Sequence, residues 1–198
     1  MGVKLVSASA GSVEIVAPAT ASNYTATMPA GSGTVAVQGV STNIVSGTSQ
    51  ASTSGTSIDF TSIPSWVKRI TVMFNAVSTN GSSIIQVQLG DAGGVETTGY
   101  ASLISSYGAA STSNSTTGIL ANTTGNAGYV LTGIMTIAYM GSNLWVASIA
   151  TATDPSPGNY SSIGAGRKTL SDTLDRVRIT TVNGTDTFDA GSINIMYE

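Results

Sequence analysis

From Trp66 to Leu89 the chain reads WVKRITVMFNAVSTNGSSIIQVQL, the longest stretch whose side chains keep to one period. Trp66, Ile70, Val72, Phe74 and Ala76 share one face, with Lys68 the single intruder, while Arg69, Thr71, Met73 and Asn75 share the other. A period of two is a strand, because successive Cβ atoms point to opposite sides of the backbone. Thr79-Asn80-Gly81-Ser82 follows, and Ile85, Val87 and Leu89 resume the alternation, so the Asn-Gly pair predicts a tight hairpin. A second hairpin is expected from Leu174 to Val182, turning at Asn183-Gly184-Thr185-Asp186 into Ser192 to Tyr197. A third joins Gly128 to Met140 with Leu144 to Ala150 around Gly141-Ser142-Asn143, and its nearly unbroken hydrophobicity predicts cover on both faces. Apolar faces of this kind must be buried against one another, which predicts an all-β, antiparallel, jelly-roll-like sandwich.

Such a sandwich has to be kept soluble, and charge does little of that work here. Charged residues make up 9% of the chain, against roughly 25% in soluble domains, and serine and threonine fill the deficit at about three residues in ten. The net charge is -3, with seven basic residues interleaved among strand positions, so nucleic acid is not an expected partner. Cysteine and histidine are both absent, which removes disulfides, the usual zinc sites and nucleophile–histidine pairs. Too few apolar residues follow Met1-Gly2-Val3-Lys4 for a signal peptide, and no apolar run reaches the roughly 18 residues of a membrane span. No membrane insertion is expected.

Composition divides the chain in three. Residues 1–42 hold short β-pieces (Lys4 to Val6, Ser12 to Ala17, Tyr24 to Met28, Thr34 to Gln38) separated by Pro18, Pro29 and Gly31-Ser32-Gly33. Pieces this small bury too little to stand alone, so the segment reads as an anchoring or intertwining arm. Residues 43–57 collapse into serine, threonine and glycine and read as a linker. Residues 58–198 form the body, in which 108–126 and 151–159 read as exposed loops and Tyr100 to Tyr107 as a further strand.

No residue is assigned a catalytic, cofactor-binding or metal-binding role. Gly164-Ala165-Gly166-Arg167-Lys168-Thr169 imitates the end of a phosphate-binding loop, but Arg167 separates glycine from lysine and no strand-loop-helix context surrounds it. Asn183, Asp186 and Asp189 offer oxygen ligands to a calcium ion at a spacing that also suits plain turn chemistry. Asp91 with Glu96 and Asp172 with Asp175 are the remaining paired carboxylates, and a glycosidase would hold such a pair about 5 to 10 Å apart. Trp145, Tyr100, Tyr107, Tyr129 and Tyr160 could stack on sugars, although Trp145 and Tyr129 lie in the most apolar strands and suit a core. The Asn-x-Ser/Thr triplets at Asn23, Asn80, Asn114, Asn122 and Asn183 are what chance supplies in so hydroxyl-rich a chain.

GSVEIVAPATASNYTATMPAGSGTVAVQG, from Gly11 to Gly39, resembles the short β-repeat near the N-termini of tailed-bacteriophage fibre and appendage proteins. Ile58 to Gly81 together with Leu174 to Glu198 is similar to a C-terminal module of phage and prophage virion proteins. The resemblance implies a non-enzymatic protein on the exterior of a phage particle, made in the host cytoplasm, as a head fibre, capsid decoration or short tail fibre. It implies a homo-oligomer, a trimer by the family's habit, holding other virion proteins through residues 1–42 and host surface polysaccharide through the body. The alternative is a carbohydrate-active, depolymerase-like fibre enzyme working through paired carboxylates. Enzymes of that kind devote several hundred residues to a β-helix, and this chain carries no such repeat.

Overall fold

The structure is a computed structural model and describes residues 3–7, 11–15, 44–108, 111–154 and 160–198. The chain divides into two compact units, residues 1–37 and 38–198. In the first, β1 (Val3–Ser7) pairs antiparallel with β2 (Gly11–Ile15), Val3 opposite Ile15 and Ser7 opposite Gly11. The other strand pieces expected in the arm, Tyr24 to Met28 and Thr34 to Gln38, lie outside the described residues.

The second unit is an antiparallel β-sandwich with no helix among its described residues. Its strands are β3 (Val45–Ser46), β4 (Gln50–Ala51), β5 (Ser57–Phe60), β6 (Arg69–Thr79), β7 (Ile85–Asp91), β8 (Gly94–Val95) and β9 (Tyr100–Tyr107). They continue with β10 (Thr112–Ser115), β11 (Ile119–Leu120), β12 (Val130–Gly141), β13 (Leu144–Asp154), β14 (Tyr160–Thr169), β15 (Leu174–Thr181) and β16 (Phe188–Tyr197). Nine strands form one sheet in the order β10-β9-β14-β13-β12-β6-β16-β3, with β4 also on β16. Five form the other, β11-β7-β15-β5, with β8 on β7. The inward alternation predicted for β6 is present, since Ile70, Val72 and Phe74 are buried and meet Val87, Leu89, Val177 and Ile179 in one core.

Two of the three expected hairpins are something else. β6 lies in the large sheet and β7 in the small one, so Asn80-Gly81 carries the chain between layers. β15 and β16 are divided in the same way by Asn183-Gly184. The two crossings interlock: Asn80 N–H donates to Thr187 O at 2.9 Å and Thr187 N–H donates to Asn80 Oδ1 at 2.8 Å. Gly81 has no positive φ; a Cβ there would meet the Asp186 carboxylate, so glycine lets that side chain approach and a larger residue would displace it. The third hairpin is as expected, β12 and β13 closing on Ser142 and Asn143 with φ of 49° and 57°, the signature of a type I′ turn.

Its faces, however, are not both covered. Along β13, Trp145, Ala147 and Ile149 are buried while Ser148, Ala150 and Ala152 are exposed. Alanine and glycine lend the pair its apolar character without adding bulk that needs cover. The inward run of β6 also breaks where the sequence continues it. Ala76 adopts a φ of 50° and is exposed at a bulge, so Val77 takes the inward position. Trp66 is half exposed and lies against Tyr197, ring centroids 6.0 Å apart, before the alternation begins.

The serine-rich segments read as linker and loop close the two open sides of the sandwich. Within 43–57, β3 and β4 pair with β16, and the buried Ser52 donates its hydroxyl to Ala190 O at 2.8 Å. Gln50 Nε2 reaches the small sheet, donating to Asp59 O at 2.8 Å. Across the molecule, β10 extends the large sheet beside β9 and β11 extends the small one beside β7. Ile119, Leu120 and Ala121 are buried, so residues 111–126, the described part of the segment expected as an exposed loop over 108–126, form a strap. Residues 151–154 likewise belong to β13, and 155–159 lie outside the described residues.

Candidate functional site

Of the paired carboxylates, the fold brings one pair together. β7 ends at Asp91 and the turn into β8 leads to Glu96, opposite the segment that follows β14. Ser171 Oγ lies 2.6 Å from Asp91 Oδ2 and 2.9 Å from Glu96 Oε1, and Ser171 N–H donates to the same Glu96 oxygen at 2.7 Å. Lys168, buried, forms an ion pair with Glu96, and its amine lies 5.3 Å from the centre of the Tyr100 ring. The Tyr100 hydroxyl accepts from Leu89 N–H at 2.7 Å and lies 2.9 Å from Glu96 O.

The electrostatics of this cluster oppose acid–base work. The Ser171 hydroxyl and the Gly93 N–H hold the Asp91 carboxyl below the usual range. Burial pushes Glu96 up, but hydrogen bonds from Lys168 and Ser171 outweigh it and leave it low. Burial raises the Tyr100 hydroxyl well above its ordinary value. A retaining or inverting hydrolase needs one carboxyl raised to act as an acid, and both of these stay ionised. Their donors tie the end of β7 to the β14–β15 connection, which is a structural use.

The other sequence candidates are engaged with near neighbours. Asp172 Oδ1 accepts from Thr173 N–H at 2.6 Å, whereas Asp175 holds its neighbour Arg176 at 2.6 and 3.1 Å. Asp186 accepts from Ser83 N–H at 2.8 Å and from Asn183 Nδ2 at 2.6 Å, so these two groups are spent on the interlocked crossings. No group of three acidic, histidine or cysteine residues could hold a metal among the described residues. Gly164 to Thr169 is a straight part of β14 and so cannot cradle a phosphate. Trp145, Tyr100 and Tyr160 are core residues, Tyr129 packs edge-on against Tyr160 at 6.0 Å, and Tyr107 is exposed.

What sequence reasoning missed is a surface. On the outer face of the large sheet, Ala101, Leu103, Asn114, Val146, Ala165 and Arg167 line an open trough of about 650 Å³. It opens onto a wider apolar face built from alternate residues of β9, β14, β13 and β12. The signal was in the sequence as the second, outward period of those strands, masked by their small residues. No protein family, no curated protein and no solved structure matches this chain.

Proposed function

We propose that this is a non-enzymatic structural protein of the exterior of a tailed-phage particle, a head fibre, capsid decoration or short tail fibre. Residues 1–42 anchor it to other virion proteins and the sandwich body projects. The observation that carries this reading is the disposition of the body's chemistry: the Asp91–Glu96 pair is ionised and committed to internal donors, while Leu103, Tyr107, Ile134 and Ile163 stand exposed on one sheet face. A protein arranged in this way works by contact. The resemblance at Gly11 to Gly39, Ile58 to Gly81 and Leu174 to Glu198 supplies the virion setting and a homotrimer. Host polysaccharide is the contact assigned to the body.

Electron microscopy of phage particles decorated with an antibody to the body tests the reading. Label at a regular position on heads or tails is the expected result. Particles that carry the intact gene but never bind the antibody would end it. The depolymerase alternative rests on the meeting of Asp91 and Glu96 at Ser171. It requires release of reducing sugar from host polysaccharide that Glu96→Gln abolishes, and we expect no such release.

A further inference from the structure

Four of the exposed large hydrophobic side chains among the described residues share one surface, while Ile44, Trp66 and Val182 lie elsewhere. Leu103 (58% exposed), Tyr107 (87%), Ile134 (48%) and Ile163 (68%) all lie on the outer face of the nine-stranded sheet, in register across β9, β14, β13 and β12. Around them stand Ala150, Ala165, Ser148 and Thr136, so the middle of the face carries no charge. Charge appears only at its two ends. Arg167, opposite Val146, stands at one end without an ion pair among the described residues, and Asp154, opposite Val130, stands at the other.

We infer that this face is covered by a second copy of the same chain, packed face to face with its strands running in the opposite direction. Ala150 lies midway along β13 between Val146 and Asp154, and its cross-strand neighbours are Ile134 and Ile163. A two-fold axis crossing the strands at Ala150 sets each apolar centre on the other. The same rotation brings Arg167 of one copy to the Asp154 end of the other, one strand to the side, about 4.8 Å, which an arginine side chain spans. A copy laid parallel would instead set each arginine end on its like. Four strands about 4.8 Å apart and eight residues about 3.3 Å apart make a plane on the order of 500 Å², and a side-chain surface larger still. With the side-chain relief included, the face falls at the lower end of the roughly 600 to 1,000 Å² that each partner of a specific complex buries. The inference needs only this geometry and stands apart from the virion reading and its homotrimer, which could fail while the pairing holds; where both hold, this face joins one trimer to another.

The chain has no cysteine, so Ala150→Cys in the full-length protein introduces a unique thiol at the axis. A thiol-specific cross-linker spanning the roughly 10 Å between packed sheets should join copies in pairs, while Thr53→Cys on an exposed bend should not. Ile134→Lys and Ile163→Lys should each halve the molar mass seen by light scattering, with the circular dichroism spectrum unchanged. Arg167→Asp and Asp154→Arg should each weaken the pairing and together restore it. Mass unmoved by either lysine, or a double charge reversal that stays unpaired, overturns the inference. So does failure of Ala150→Cys to cross-link, whether its thiol reacts as fast as that of Thr53→Cys, leaving the face bare, or slowly, placing another part of the same chain over it.

Discussion

Phe74 shows how much one side chain contributes to this body. It is buried at 3% exposure between the sheets, at the last regular inward position before the Ala76 bulge. Phe74→Ala should cost about 3 to 5 kcal/mol in a urea melt, through lost transfer and the cavity left behind. A loss under about 1 kcal/mol would place the ring at the surface. Asp91 and Glu96 set the response to acid. Both titrate lower when folded than the roughly 3.9 and 4.3 of unfolded chains, so their contribution is complete above about pH 5 and is lost as pH falls through the folded values. Stability should therefore decline on acidification below about pH 5, and Asp91→Asn should flatten that decline. An acid limb identical in wild type and variant would show that the Ser171 contacts are not formed in solution.

At the scale of elements, closure depends on segments with little hydrophobicity of their own. The 111–126 strap inserts Ile119, Leu120 and Ala121 between the layers, and Asn122 Oδ1 accepts from Ile85 N–H at 3.0 Å. Removing residues 118–122 should expose core and abolish the cooperative melt, where an exposed loop would tolerate the deletion. The interlocked crossings make a milder test. Asp186→Ala removes acceptors from Ser83 N–H and Asn183 Nδ2, and should cost about 1 to 2 kcal/mol. Amide exchange should quicken around residue 83 as well as residue 186 if the two crossings act as one unit. Gly191, with φ of 90° and Ala76 O 2.3 Å from where its Cβ would stand, is where the bulges of β6 and β16 meet. Two errors of alternation there cancel, and β16 returns Ile193 and Ile195 to the core.

At the scale of the whole molecule, residues 1–37 and 38–198 are separate compact units. The second contains both sheets and its own core, so deletion of residues 1–42 should leave a protein with a β-rich spectrum and a cooperative melt. On the proposed function that protein no longer enters particles. Incorporation at normal copy number would move the anchor into the body, and the two roles would have to be exchanged. Cutting further, to residue 57, should damage the body itself, because β3, β4 and Ser52 complete the edge at β16.

The sequence by itself determined the all-β class, the inward face at Ile70, Val72 and Phe74, the β12–β13 hairpin and the absence of histidine and cysteine chemistry. Each of these is local: a period of two, a turn between adjacent strands, a residue type missing. Only the tertiary structure decided which sheet a strand joins. Asn80-Gly81 and Asn183-Gly184 satisfy the composition of a hairpin turn, yet the same residues serve an interlayer crossing equally well, and the partner strands that choose between the two are far away in the chain. The roles of 43–57 and 108–126 were hidden for a related reason. A sandwich edge is closed by backbone hydrogen bonds and a few buried methyl groups, which serine, threonine and glycine supply without any periodic apolar signal. The carboxylate pair was visible as two acids, but the serine that joins them lies 80 residues from Asp91. That distance in sequence is closed only by the packing of the two layers.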